Sequence, residues 1–258
     1  MKNAILELYQ AACDGDLLSM VKVFSNNHIA ESTWRSLVDQ PLVNLTEDCN
    51  EDADSCTGLT LLMHACQRGH LDIVKYLVQN REANVRTASA KQGVAAIHLA
   101  CQYGHVDVVD YLLSFDPLLV KLRNVAGATP LAYAVHYGQS ALVKFLVEVK
   151  CVDIEEIGAN GKTPLMEATS KSNIELVEYF VSKGADFYAR QPKTGNMAAH
   201  FAAKANCCQT LRFFLDRKPD MMIVKNYKGQ TLIDIAHNHQ VLRLLEDRGA
   251  RRRFAQDF

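Results

Sequence analysis

The chain has 258 residues, 48% of them hydrophobic, and sets 28 Lys and Arg against 29 Asp and Glu for a formal charge of −1. That content is enough for a large core, and the balanced charge gives no bulk attraction to nucleic acid or to an anionic membrane. No apolar run approaches the roughly 18 residues of a membrane helix, and Glu7 interrupts the segment Met1 to Cys13 where a signal peptide needs continuity, so the expectation is a soluble cytoplasmic chain, with the nucleus as the other compartment.

The first elements are a helix pair within 1–27. Ala4 to Asp14 repeats apolar residues at Ile5, Leu8, Tyr9 and Ala12, and Leu17 to Ser25 at Leu17, Val21 and Phe24, with Gly15 in the turn between. Polar residues on the first helix suit the solvated end of a stack. An insertion follows at 28–57. His28 to Val38, with the single Trp34, extends the helix or folds over this cap, and Glu47, Asp48, Glu51, Asp52 and Asp54 form an acidic finger. Alternating oxygen ligands, a central glycine and a terminal glutamate are out of register there, so an EF-hand loop fails. Asn44-Leu45-Thr46 is a glycosylation sequon by letter only.

From 58 to 228 the chain keeps a beat. Glycines stand at Gly58, Gly93, Gly127, Gly161, Gly195 and Gly229, spaced 35 residues once and 34 residues four times. A period in the thirties predicts stacked modules, none of which buries its apolar face alone. After each glycine comes one phrase, fullest at Thr129-Pro130-Leu131 and Thr163-Pro164-Leu165, with weaker copies at Thr60-Leu61-Leu62, Ala95-Ala96-Ile97-His98, Met197-Ala198-Ala199-His200 and Thr231-Leu232-Ile233. With Gly69-His70, Gly104-His105 and the second helices Ile73-Val74-Tyr76-Leu77 and Leu176-Val177-Tyr179-Phe180, this pattern resembles the ankyrin repeat. The resemblance implies an all-α solenoid of about seven repeats including caps, built from helix-turn-helix pairs joined by β-hairpin loops, and forming a single domain over 1–247. Thr129 and Thr163 are the expected helix caps, each followed by proline where a missing N–H costs nothing.

The last unit, 229–247, is abbreviated. Its leucines arrive early, at Leu242, Leu244 and Leu245, so short closing helices are expected, then a basic tail at 248–258 that reads as frayed, as an anion contact or as a nuclear import signal.

Chemistry is sought and not found. Gly161-Lys162-Thr163 ends like a phosphate loop, but the preceding glycine is missing. Of the eight cysteines, Cys13, Cys66 and Cys101 each follow an alanine in the small-residue slot where paired helices touch, and Cys49 and Cys56 lie in the acidic finger. No Cys-x-x-Cys pair occurs, so these are packing or free thiols. Among the histidines, His98 and His200 occupy the histidine slot of the phrase, and the resemblance implies that His70 and His105 hydrogen-bond neighbouring repeats; His136 faces outward. No catalytic residue, metal or cofactor is expected.

The resemblance also implies an inner, concave surface made by hairpin tips and the ends of first helices. The slots two and one before each glycine, and one, nine and ten after it, hold Arg68, Gln102, Tyr103, His136, Tyr137, Ser170, Lys171 and Lys204 on helices. On hairpins they hold Lys91, Gln92, Asn160, Lys162, Lys193, Asn196, Tyr227 and Lys228. Seven of these are Lys or Arg and none is acidic. The acids, Asp72, Asp107, Asp110, Glu148, Glu175, Glu178 and Asp216, fall on second helices. The expectation is a monomeric, non-catalytic adaptor, scaffold or regulatory subunit that binds an acidic or phosphorylated protein segment in a basic groove, with Tyr103 and Tyr137 as anchors. The alternatives are the ankyrin portion of a larger enzyme, such as an ankyrin-bearing acyltransferase, and direct binding of an anion or a nucleic acid.

Overall fold

All six glycines of the beat take positive φ, from 64° at Gly93 to 101° at Gly58, so each hairpin loop turns through the left-handed region just before its helix begins. The structure is a computed structural model in which the described residues are 2–26, 38–40 and 58–256. Trp34, Asn44, the acidic residues 47 to 54, Cys49 and Cys56 lie outside them. The described part falls into two compact units, Met1–Phe145 and Leu146–Phe258.

The first unit begins with α1 (Lys2–Asp14) and α2 (Leu17–Asn26), followed by the pairs α3 (Leu61–Arg68) with α4 (Leu71–Asn80), α5 (Ala96–Tyr103) with α6 (Val106–Phe115), and α7 (Pro130–His136) with α8 (Ser140–Glu148), which runs through the division point. First helices pack on first helices, α3 on α5 and α5 on α7. Small residues let them close: Ala65, Cys66, Ala100, Cys101 and Ala134 are fully buried. The opening pair buries Leu8 and Ala12 on α1, as its pattern predicts, together with Ala4 and Ala11 rather than Ile5 and Tyr9, which are half-buried, and on α2 the buried residues are Met20, Val23 and Phe24. Leu17 and Val21 remain partly exposed, so the inward stripe of α2 is rotated from the one expected. From the insertion, Val38 is buried and Asp39 accepts the Asn84 N–H at 2.8 Å.

The second unit holds α9 (Pro164–Ser170) with α10 (Ile174–Ser182), α11 (Ala198–Lys204) with α12 (Cys208–Arg217), and α13 (Leu232–Ile235) with α14 (His239–Gln256). Its core is Leu165, Ala168, Leu176, Phe180, Leu211 and Phe214.

Caps follow the letters. Thr60, Thr129 and Thr163 each accept the N–H three residues on, from Met63, Ala132 and Met166. Where the threonine is missing, the histidine three residues on satisfies the cap residue's own donor instead: His98 Nδ1 accepts from Ala95 N–H and His200 Nδ1 from Met197 N–H, both at 3.2 Å.

Two expectations change, and one feature is added. The loops are hairpin turns closed by short backbone hydrogen bonds, such as Asn124 N–H to Ala128 O at 3.0 Å and Gly127 N–H to Asn124 O at 2.9 Å, and the described residues contain one isolated β-bridge, Ala88 to Ala95, and no strand. The chain enters a helix three residues after each glycine, leaving no room for a ladder. Short 3-10 turns at Pro117–Lys121 and Pro219–Ile223 extend two repeats and bury Leu119 and Met221. Finally, only α13 is short. α14 is 18 residues long and continues past residue 247 through the arginine run to Gln256, anchored by buried Val241, Leu244 and Leu245 and by an Arg248 to Asp216 ion pair.

Candidate functional site

The two tyrosines singled out by phase stand at the ends of adjacent first helices in the first unit. Tyr103 is the last residue of α5, before Gly104 in the left-handed conformation, and Tyr137 caps the C-terminus of α7. Each ring is nearly half exposed, 45% and 47%.

Both rings are held. Gln67 Nε2 donates to the Tyr103 hydroxyl at 3.1 Å, and the Tyr103 ring lies nearly parallel to His105, 15° between planes and 6.4 Å between centres. Tyr137 packs against Tyr133 at 6.0 Å and edge-on to His136 at 4.9 Å. Tyr133 is itself fixed by Asn124 Nδ2 donating to its hydroxyl at 3.0 Å, and burial raises its pKa.

Tyr103 and Tyr137 wall a cleft of about 210 Å³. Its apolar floor is Leu59, Val94 and Leu99, its tip side is Ser89, Lys91 and Gln92, and Gln67 and Gln102 complete the helix side. The hairpin tips are tied to one another by Val125 N–H donating to Gln92 O at 3.0 Å. No lining residue is acidic.

The structure thus brings together Lys91, Gln92, Gln102, Tyr103 and Tyr137 of the expected residues. Arg68 and His136 are exposed on neighbouring helix ends but do not line the cleft. In the second unit Lys171 and Lys204 are exposed at the ends of α9 and α11. Lys162 differs from the other cations. Its ammonium is 2.9 Å from Glu167, donates to Ser170 Oγ at 3.0 Å and sits 5.0 Å from the Phe201 ring centre. With only 20% of the side chain exposed, its charge is compensated locally and it adds little outward potential.

Leu59, Gln67, Ser89, Val94 and Leu99 are cleft residues that the sequence reading passed over. Three of them carried a signal, because Leu59 and Val94 stand at the same phase as Lys162 and Gln67 at the same phase as Gln102. The reading of those slots favoured charged and aromatic letters.

The expected acids do lie on second helices: Asp72 on α4, Asp107 and Asp110 on α6, Glu148 on the last turn of α8, Glu175 and Glu178 on α10, and Asp216 on α12. Among the described residues no group of three or more His, Cys, Asp or Glu is arranged to hold a metal ion. No described helix is long and apolar enough to cross a membrane.

The histidines after the turn glycines link repeats. His70 Nε2–H donates to Cys13 O at 2.9 Å and His105 Nε2–H to Gln67 O at 3.0 Å, and Gln139 Nε2 does the same to Gln102 O at 2.8 Å. His98, whose Nδ1 is occupied as an acceptor, turns Nε2–H towards Leu122 O and Ala128 O of the next repeat.

Comparison with known proteins agrees with this architecture. The family model described as ankyrin repeats (3 copies) matches residues 8–119 and 115–191. The chain is 43% identical over 75 residues to ankyrin repeat and SAM domain-containing protein 6 of Rattus norvegicus, covering 29% of this chain and 8% of that protein. It is 25% identical over 215 residues to palmitoyltransferase AKR1 of Lachancea kluyveri, covering 73% of this chain and 28% of that one. The chain therefore spans a small fraction of the length of these relatives. Among solved structures it resembles the human ASB11 ankyrin repeat domain with a TM-score of 0.70 at 22% identity, over 93% of this chain and 96% of that one.

Proposed function

We propose that this chain, which belongs to the ankyrin-repeat family, is a non-catalytic interaction module that binds an acidic or phosphorylated segment of a protein partner through its hairpin tips and first-helix ends. The observation that carries the reading is the separation of charge by phase. Arg68, Lys91, Lys171 and Lys204 are exposed at those ends without an ion pair among the described residues, while Asp72, Asp107, Asp110, Glu148, Glu175, Glu178 and Asp216 sit on second helices and Glu167, on a first helix, is paired with Lys162. Such separation within each unit steers an anionic segment to the hairpin tips and first-helix ends and suppresses cationic ones. The working form in this reading is a cytoplasmic monomer.

The test is panning of a random peptide library on the purified chain, followed by fluorescence anisotropy of the enriched peptides at about 0.05 and 0.5 M salt. Enrichment of Asp and Glu, with affinity that weakens as salt rises and on Lys91→Glu and Lys171→Glu substitution, is the expected result. Peptides of no net acidity, or salt-independent binding, would remove the electrostatic reading. A single-stranded RNA probe in the same assay tests direct nucleic-acid binding.

A second reading is favoured by the similarity to the palmitoyltransferase across 73% of this chain. In it the chain is the binding portion of a longer acyltransferase. Sequencing the full transcript decides between them: a reading frame that continues into apolar membrane segments favours the enzyme.

A further inference from the structure

We infer that the cleft between Tyr103 and Tyr137 is an anchor pocket for one large apolar side chain of an extended partner segment, with an acidic residue next to it in the segment placed against Lys91. This rests on the interaction reading above and narrows it.

Size is the first argument. At about 210 Å³ the cleft falls below the roughly 300–1,000 Å³ of sites that enclose a free cofactor or drug-sized ligand, and it is closer to the volume of a single side chain. Its chemistry is the second. Leu59, Val94 and Leu99 make the floor apolar, whereas Gln67, Gln92 and Gln102 on the rim present amide donors and acceptors to a passing backbone. That combination suits a chain whose side chain goes down while its peptide groups stay at the mouth. The third argument is preorganisation. Gln67 holds the Tyr103 hydroxyl and His105 backs its ring, so that wall is in place before anything binds and little ordering cost falls on binding. Charge is the fourth: Lys91 is exposed, has no ion pair among the described residues, and no carboxylate lines the cleft to compete for it.

The experiment uses the enriched peptides of the panning described above, made as labelled peptides and scanned with alanine against the full chain. Panning is repeated on Tyr103→Ala with Tyr137→Ala, and on Gln92→Trp, which blocks the cleft from an exposed position without removing packing. Unchanged circular-dichroism melts establish that both variants fold. The expected consensus is Leu, Ile, Met or Phe beside Asp or Glu, with loss of the apolar residue weakening binding about 30-fold, as do both cleft variants, the size of effect seen at interface hot spots. Lys91→Glu weakens binding about 10-fold and selects against the neighbouring acid. If alanine at every apolar position changes affinity less than about 3-fold while acidic positions still matter, the anchor pocket is overturned and the charge reading stands. If enriched peptides are neither acidic nor sensitive to the cleft variants, both fall.

Discussion

His105 closes over Gly69: its Nε2–H donates to Gln67 O at 3.0 Å, and a Cβ built on Gly69 would lie 2.4 Å from its Nδ1. One contact thus joins the turn of one repeat to the second helix of the next. Gly69 also sits at φ +79°, where an L side chain is strained. Gly69→Ala is therefore expected to cost about 2–3 kcal/mol, roughly 1–2 from the backbone and about 1 from the displaced hydrogen bond. Gly127→Ala makes the control. Its φ is also +79° but nothing lies within 4 Å of the added carbon, so it should cost only the backbone part. Urea unfolding of the two variants separates the terms, and equal losses would dismiss the interlock.

Burial pushes the His64 pKa down to about 4, with the Arg68 charge adding to it, and its Nε2 is buried without a hydrogen-bond partner. Between about pH 6.5 and 4 the unfolded chain takes up a proton that the folded one refuses. Stability is therefore complete above pH 6.5 and falls as the pH drops, by roughly 3 kcal/mol from this group by pH 4. His98 and His200, also lowered by burial, act in the same direction. His64→Phe keeps a ring against Tyr9, which now meets the imidazole edge-on at 4.6 Å, and should flatten the curve while changing stability at pH 7.5 by less than about 1 kcal/mol. Urea midpoints from pH 7.5 to 4.5 check this, and a slope unchanged by the substitution would count against it.

Lys162 and Glu167 are only 20% and 14% exposed, so removing one partner leaves the other charge half-buried without its counter-ion. Lys162→Met or Glu167→Gln alone should each destabilise by about 2 kcal/mol, and the double substitution by less than the sum. A double-mutant cycle measures the coupling. Additive losses would mean that the pair is solvated after all.

Thr129 and Ala95 occupy the same phase, one with and one without a hydroxyl to cap its helix. Thr129→Ala should lose about 1 kcal/mol. Ala95→Thr should gain less, about 0.5 kcal/mol, because the His98 N–H already donates to Ala95 O at 3.0 Å. Thermal melts of the two variants should shift in opposite directions.

Legibility tracked the distance over which each feature is decided. The histidine links came only with the resemblance to the ankyrin repeat, whereas the repeat class and the threonine caps were readable because a helix start depends on three or four consecutive residues and every repeat offers the same neighbours. Cys66 and Cys101 were readable as packing residues for that reason too. The rotated stripe of α2 was not, because Leu17, Met20, Val21 and Val23 are all apolar and only the partner helices select among them.

What the letters alone determined is the backbone frame: a 34-residue beat that no isolated module satisfies, with Tyr103, Tyr137 and the cations at matched phases. The tertiary structure decided which side chains meet. It paired Gln67 with Tyr103, 36 residues apart, raised an apolar floor between the tyrosines, tied Lys162 to Glu167 and carried α14 through the arginines. Phase places a Cα in its module, whereas partners, burial and charge compensation depend on distances between side chains of different modules, which no single period contains.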